Sequence, residues 1–222
     1  LPQPSQGGGF ILRTAAAGAT RDALRADMIY LGRLWDHVRE RAATAAPGEL
    51  VHEDLPLPNR ILRDELGRDI ERVLVDGAAT HAQMREFARA FIPEAVERIE
   101  LYAGQRPIFD LHGTEEEIAR ALGRKVELKS GGYVIIDQTE SMTTIDVNTG
   151  AYVGHRNLEE TIFRTNLEAA VAIARQLRLR NLGGIIIIDF IDMQDESHRR
   201  QVLDALSRSL AVDRVQTHIA SL

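Results

Sequence analysis

The sequence of 222 residues contains no cysteine. This absence excludes disulfide bonds, thiol nucleophiles and metal sites built on thiolates, and it is compatible with the cytoplasmic location that we expect. No apolar run approaches the ~20 residues of a membrane-spanning helix, so we predict no membrane span. The first residues lack an initiator Met and the basic start and apolar middle of a signal peptide. We therefore expect the chain to be a piece of a longer protein.

Lysine and aromatic side chains are scarce. Only Lys125 and Lys129 are lysines among the 27 basic residues, and aromatic residues make up 5% of the chain. The net charge is −6 at pH 7, so no overall positive field attracts nucleic acid, and no ladder of aromatic side chains stacks bases. The sequence also lacks a glycine-rich phosphate loop and a Gly-x-Ser-x-Gly motif, and its seven histidines show no spacing typical of metal ligands.

The hydropathy pattern predicts a mixed α/β fold. Helices are predicted over residues 20–45, 59–66, 80–91, 93–102, 114–123, 158–180 and 197–210. Strands are predicted over residues 10–12, 72–75, 125–128, 132–137, 143–147, 185–188 and 215–219. Thr20 and Asn157 are predicted helix N-caps, and Thr114 with Glu117 matches a capping box. The prolines of residues 55–58 predict a stiff, extended joint and the first domain boundary.

Two aspartates stand at the ends of apolar, strand-like runs. Asp146 closes one such run, and Asp189 follows four isoleucines, a pattern typical of a strand that is covered on both faces. A carboxylate there is costly to bury unless it is paired, hydrogen-bonded or bound to a metal. Asn148 lies two residues after Asp146 and therefore shares its face of the strand. If the two strands are neighbours, the carboxylates converge and suit a hydrated Mg²⁺.

The residue patterns alone leave alternatives open. Each aspartate could instead cap the loop or helix that follows it, which is the commoner role of an isolated aspartate at a strand end. Arg13 and Thr14 could bind an anion through a guanidinium group and a hydroxyl, or could be ordinary surface residues. Arg175, Arg178 and Arg180 could contact a nucleic-acid backbone, or could complement the negative end of their helix.

Five stretches of the sequence resemble a known family. They are Lys129-Ser-Gly-Gly-Tyr-Val-Ile-Ile-Asp-Gln-Thr-Glu140, Thr144-Ile-Asp-Val-Asn-Thr-Gly150, Asn166-Leu-Glu-Ala-Ala170, Ala174-Arg-Gln-Leu-Arg-Leu-Arg-Asn-Leu-Gly-Gly184 and Ile188-Asp-Phe-Ile-Asp-Met193. Together they closely resemble the catalytic domain of the ribonuclease E/G family, whose members cut single-stranded RNA. Gly150-Ala-Tyr-Val-Gly-His-Arg156 and Arg106-Pro-Ile-Phe-Asp110 are more similar to the G branch of that family.

The resemblance implies a fold and a set of site residues. It implies a 5′-sensor segment at residues 1–58, part of an RNase H-like domain at 59–121 and a DNase I-like catalytic domain at 122–222. It places Mg²⁺ on Asp146 and Asp189, with Asn148 as a supporting catalytic residue. Arg13 and Thr14 match the Arg-Thr pair that binds a 5′-monophosphate. The implied activity is Mg²⁺-dependent hydrolysis of single-stranded RNA to 5′-phosphate and 3′-hydroxyl ends, in rRNA processing and mRNA turnover.

The sequence departs from the family pattern in three respects. Gln216 stands where ribonuclease E carries a further basic sensor residue. We expect the S1 RNA-binding domain, which should precede or surround the sensor, to be absent from this chain, and the cysteine pair that links protomers through zinc to lie beyond residue 222. We therefore expect a homo-oligomer only in the full-length protein, and weak or no activity from this chain alone. The alternatives are a non-catalytic RNA-binding or assembly fragment and a DNase I-like phosphoesterase with another substrate.

Overall fold

The computed structural model describes residues 9–66, 70–150, 158–213 and 215–220. It contains helices and two sheets, so the predicted mixed α/β class is confirmed. The chain divides into two compact units, Leu1–Ile108 and Phe109–Leu222. Their assignment to sensor, RNase H-like and DNase I-like segments stays a prediction. Within the described ranges, no helix combines the length and the apolar character needed to cross a membrane.

The first unit is mostly helical. Its elements are helix α1 (Arg21–Thr44), helix α2 (Leu57–Glu65), strand β1 (Val73–Val75), helix α3 (Ala78–Phe91) and strand β2 (Ile99–Leu101), with 3₁₀ helices at Thr14–Ala16 and Pro93–Arg98. β1 and β2 form a parallel two-stranded sheet. The core lies between α2, α3 and this sheet, and its buried apolar side chains are those of Leu62, Met84, Phe87, Ala88, Ala95 and Ile99.

Local signals predict some boundaries of this unit correctly and miss others. Thr20 caps α1 as expected, because its hydroxyl oxygen accepts a hydrogen bond from the Ala23 N–H at 3.2 Å. The predicted strand over residues 10–12 is wrong, since these residues have no regular structure. The predicted helix over residues 93–102 is also wrong in its second half, where the backbone pairs with β1 as strand β2. Residues 55–58 are not an extended joint, because α2 begins at Leu57.

The second unit contains a four-stranded sheet. Helix α4 (Ile108–Leu111) spans the division between the units, and the elements that follow are helix α5 (Thr114–Ala121), strands β3 (Lys125–Glu127), β4 (Tyr133–Gln138) and β5 (Met142–Asn148), helix α6 (Leu158–Leu179), strand β6 (Ile185–Asp189) and helix α7 (Glu196–Leu210). The strand order is β3-β4-β5-β6. The first three strands form the predicted antiparallel meander, and β6 pairs with β5 in parallel. A parallel pair needs a crossover connection, and α6 supplies it.

Alternate residues of the strands point to opposite faces of this sheet. On β5, Ile145 and Val147 are buried in the core that α6 and α7 form, whereas Thr144 and Asp146 are exposed on the other face. We call this other side the outer face. Ile185 and Ile187 of β6 also lie there and are 62% and 44% exposed. The prediction that β6 is covered on both faces is therefore wrong for the described structure, because an all-apolar run does not require two covering layers.

Three further predictions concern the ends of elements. The capping box of Thr114 and Glu117 is wrong, because Gly113 is the N-cap of α5 and no side chain caps the helix. The predicted final strand over residues 215–219 is wrong, because these residues have no regular structure. The predicted N-cap Asn157 lies outside the described residues.

Candidate functional site

Asp146 and Asp189 occupy paired positions on neighbouring parallel strands. Asp146 of β5 is opposite Asp189 of β6 in the strand register, and β6 ends at this position. Backbones of adjacent strands lie ~4.8 Å apart, and paired residues of a parallel sheet point to the same face. Both side chains are exposed on the outer face. The two strands are thus neighbours, as the convergence of the carboxylates requires, and the pair is open to solvent.

Asn148 supports one member of this pair. Its side-chain Nδ2 donates a hydrogen bond of 2.8 Å to Oδ2 of Asp146, two residues earlier on β5. This bond restricts the rotation of the carboxylate and leaves lone pairs of both oxygens available. Among the described residues, neither Asp146 nor Asp189 makes an ion pair with a basic side chain. Two adjacent carboxylates without a cationic partner repel each other, so a bound cation would relieve this repulsion.

The donor set fits magnesium better than zinc or calcium. Protein-bound Mg²⁺ commonly uses one or two carboxylates and completes its shell with water and substrate phosphate. Zn²⁺ sites use three or four ligands that include nitrogen or sulfur, and Ca²⁺ sites use six to eight oxygens. In the part of the chain that the structure describes, no cluster of three or more His, Asp or Glu side chains is arranged to hold a metal.

Helix α6 holds the loop that follows Asp189. Asn166 is fully buried, and its side chain donates to the carbonyl oxygen of Ile191 at 2.8 Å and accepts from the N–H of Ile191 at 3.1 Å. Glu159, two turns nearer the start of α6, accepts hydrogen bonds from the N–H groups of Gln194 and Asp195 at 3.0 and 3.2 Å. These bonds provide partners for main-chain groups of the loop that follows β6 and hold this loop against α6.

Helix α6 also holds the turn between β3 and β4. The Glu168 carboxylate accepts hydrogen bonds from the N–H groups of Lys129 and Ser130, the latter at 2.9 Å. Burial by itself would raise the pKa of Glu168, but these hydrogen bonds outweigh it, so the pKa lies below its ordinary value. A Cβ atom at Gly132 in this turn would lie 2.6 Å from the carbonyl oxygen of Asn148. The turn therefore packs directly against the end of β5.

The sequence of α6 contains a signal for these supporting residues that lies outside the candidate site motifs. Asn166 lies on the buried stripe of α6 between apolar residues, and Glu168 lies half-buried two positions later. Polar side chains at such positions require hydrogen-bond partners, and an amide or carboxylate readily pairs with main-chain groups of a loop. The pattern indicates that α6 anchors something, but it does not identify which loops.

Comparison with known proteins identifies the chain. The sequence model of the Ribonuclease E/G family matches residues 2–222. The chain belongs to the ribonuclease E/G family. It is 56% identical to Ribonuclease G of Salmonella typhimurium (strain SL1344) and of Escherichia coli (strain K12) over 212 residues, which are 96% of this chain and 43% of each relative. It is 38% identical to Ribonuclease E of Escherichia coli (strain K12) over 222 residues, 98% of this chain and 20% of that relative.

These identities confirm the resemblance to this family and its G branch. The chain spans less than half the length of the Ribonuclease G relatives that it matches. It matches them over nearly its whole length, so the described elements, including β5, α6 and β6, lie inside the shared region.

The structure places the predicted sensor residues of this ribonuclease E/G family member in the first unit. Arg13 and Thr14 are exposed. Arg13 precedes the 3₁₀ helix that begins at Thr14, and not a strand end as predicted. Gln216 is exposed in a segment without regular structure.

The arginines at the end of α6 have partners within the second unit. Arg175 forms an ion pair with Glu117 of α5 at 3.2 Å, and Arg180 donates from Nε to the side chain of Gln176 at 2.8 Å. Arg178 is exposed. Two of the three arginines therefore make contacts within the second unit, and both alternatives for this cluster stay predictions.

Proposed function

We propose that this member of the ribonuclease E/G family is a Mg²⁺-dependent endoribonuclease that hydrolyses single-stranded RNA and leaves 5′-phosphate and 3′-hydroxyl ends. The observation that carries the proposal is the register of β5 and β6, which pairs Asp146 with Asp189 on an exposed sheet face. The names of the relatives, Ribonuclease G and Ribonuclease E, support the reaction class.

In this proposal the chain's own residues bind the ion and orient the substrate. Asp146 and Asp189 would hold Mg²⁺ through carboxylate oxygens. An ion held there would supply polarisation of a phosphate and a lowered pKa of water. Asn148 keeps the Asp146 carboxylate in one orientation through its 2.8 Å hydrogen bond. The outer face leaves room for a phosphodiester to approach both carboxylates, because neither is covered by a described side chain.

The finer assignments also belong to the proposal. Residues 122–222 would form a DNase I-like catalytic domain, and residues 59–121 part of an RNase H-like domain. In the segment of residues 1–58, Arg13 and Thr14 would bind a 5′-monophosphate, which is supported by an exposed guanidinium group next to an exposed hydroxyl. The roles in rRNA processing and mRNA turnover, the cytoplasmic location and zinc-linked homo-oligomers of the full-length protein rest on the family resemblance alone.

The proposal is tested by RNA cleavage with the chain in excess over RNA, since single-turnover conditions detect slow reactions. A 5′-monophosphorylated single-stranded RNA is incubated with Mg²⁺, and the product ends are identified. We expect slow cleavage that EDTA stops and that Asp146→Asn and Asp189→Asn each reduce at least about 100-fold, a loss typical of essential catalytic groups. Asp204→Asn, which changes an exposed aspartate of α7, is the matched control.

The outcomes separate the candidate functions. Unchanged cleavage after Asp146→Asn would contradict the assignment of the metal site. RNA binding without cleavage under any metal condition would favour the non-catalytic RNA-binding alternative. This alternative is tested because the chain covers less than half of each Ribonuclease G relative. Cleavage of DNA or of small phosphate esters in preference to RNA would favour the broader phosphoesterase alternative.

A further inference from the structure

The outer face places one aromatic side chain beside the acid pair. In the strand register, Tyr133 of β4 is opposite Asn148 of β5, and Ile135 is opposite Asp146. Directly opposed residues have Cβ atoms ~5 Å apart and diagonal neighbours ~7–8 Å, which an aromatic ring can span. Tyr133 is therefore next to Asn148 and diagonal to Asp146. Among the strand residues of the second unit that the structure describes, it is the one aromatic side chain on this face.

A cation lies over this ring. The Nζ atom of Lys125 on β3 is 4.7 Å from the centroid of the Tyr133 ring, a cation–π distance. The Lys125 side chain is 52% exposed, and its ion pair with exposed Glu127 at 3.4 Å is weak, since solvent screens it. In the sheet, Lys125 is opposite Ile135, which is opposite Asp146. Two strand spacings therefore separate Lys125 from Asp146, about 10 Å.

We propose that Tyr133 and Lys125 form a nucleotide subsite next to the acid pair, in which Tyr133 stacks on a base and Lys125 pairs with a backbone phosphate. This inference rests on the proposed function, in which the substrate is single-stranded RNA. Proteins that bind single-stranded nucleic acid combine an aromatic side chain with a nearby cation, and stacking tolerates any base. The partly buried ring of Tyr133 and the 52% exposed side chain of Lys125 supply both parts on the face that carries Asp146.

A purely structural role makes a different prediction for the same residues. If Tyr133 only packs against its cross-strand neighbours, its replacement lowers the stability of the sheet and leaves RNA affinity unchanged. If it stacks on a base, the affinity falls even in variants that remain fully folded. The hydroxyl of Tyr133 has no hydrogen-bond partner among the described residues, so its removal separates the contribution of the ring from that of the oxygen.

The experiment measures equilibrium binding of a short, fluorescently labelled single-stranded RNA to the 222-residue chain by anisotropy in Mg²⁺, at times short compared with cleavage. Tyr133→Leu should weaken binding about tenfold, within the range found for the loss of one stacked base. Tyr133→Phe keeps the ring and should remain within about twofold of the unaltered chain. Phe109→Leu, which changes a 51% exposed aromatic side chain outside the sheet, is the matched control.

Lys125 is tested through the salt dependence of the same binding. Each phosphate contact to a single strand contributes about 0.7 to the slope of log affinity against log salt concentration. Lys125→Ala should reduce the slope by about this amount, and Lys125→Arg should restore it. Thermal melting of every variant verifies folding. A 4-thiouridine placed next to the cleavage position should cross-link to the peptide that contains Tyr133.

The outcomes distinguish this subsite from the proposed function. Full RNA affinity in folded Tyr133→Leu, or an unchanged salt slope in Lys125→Ala, would overturn the subsite while leaving RNA cleavage by the acid pair intact. Cross-links confined to other peptides would do the same. A complete lack of RNA binding by the unaltered chain would overturn the subsite together with the function on which it rests.

Discussion

The buried side chain of Asn166 makes two hydrogen bonds, of 2.8 and 3.1 Å, to the main chain of Ile191, two residues beyond Asp189. This contact links the middle of α6 to the end of β6. Glu168, on the same helix, makes a corresponding contact with the turn between β3 and β4. Helix α6 thus holds both the loop that follows β6 and the turn between β3 and β4. These two segments lie next to the ends of β6 and β5, which carry the candidate site.

Replacement of Asn166 tests this support. Asn166→Ala removes both hydrogen bonds and leaves the partly buried main-chain groups of Ile191 without these partners, so we expect the free energy of unfolding to fall by about 2–4 kcal/mol. Urea denaturation measures this change. Gln201→Ala, at an exposed amide of α7, should change it by less than about 0.5 kcal/mol. Equal stabilities of the two variants would contradict an anchoring role for Asn166.

Gly132→Ala tests the close contact between the β3–β4 turn and β5. The added Cβ would lie 2.6 Å from the Asn148 carbonyl oxygen and 2.9 Å from the Thr165 side chain, and the first of these is a backbone atom. We expect destabilisation of about 1–3 kcal/mol, measured by thermal or urea unfolding. Gly183→Ala is the matched control, because a Cβ there meets nothing within 4 Å. A neutral Gly132→Ala variant would show that the turn is not packed as described.

The hydrogen bonds to Glu168 predict a pH-dependent contribution to stability. Its folded-state pKa lies below the unfolded value, so the carboxylate stabilises the protein above the ordinary glutamate pKa of about 4.3. This contribution is lost as the pH falls through the lower, folded-state pKa. Urea unfolding at a series of pH values should find Glu168→Gln less stable than the unaltered chain at pH 7, with a difference that shrinks in acid.

The matched control for this prediction is Asp204→Asn, at an exposed aspartate of α7, measured over the same pH range. The difference in the free energy of unfolding between Glu168→Gln and the unaltered chain could instead stay constant from neutral to acid pH. This result would mean that the ionised carboxylate contributes no more to stability than the neutral amide.

The proposed phosphate sensor predicts a change in substrate preference. Arg13→Ala removes a guanidinium group, and a hydrogen bond between charged groups is worth about 1.5–3 kcal/mol. We expect the preference for 5′-monophosphorylated over 5′-hydroxyl RNA to fall at least about tenfold, measured as the ratio of cleavage rates. Arg21→Ala, at an exposed arginine of α1, should keep the ratio. An unchanged ratio in Arg13→Ala would remove Arg13 from the sensor.

Local sequence signals predicted most helices and strands of the second unit. The apolar spacing of α6 and the alternation of β4 and β5 match the structure to within two residues at each end. The signals failed where partners decide the conformation. Residues 99–101 follow a helical pattern in the sequence, but their main-chain groups pair with β1 and adopt an extended conformation. The exposure of Ile185 and Ile187 likewise depends on which elements cover the sheet.

The sequence by itself determined that Asp146 and Asn148 share one face of a strand, because side chains alternate along an extended backbone whatever surrounds it. It also determined that α6 carries polar side chains on its buried stripe. Only the tertiary structure decided that Asp189 lies opposite Asp146 and that Tyr133 and Lys125 lie beside them. Strand register arises from hydrogen bonds between segments far apart in the chain, and no local pattern specifies which pairing satisfies them.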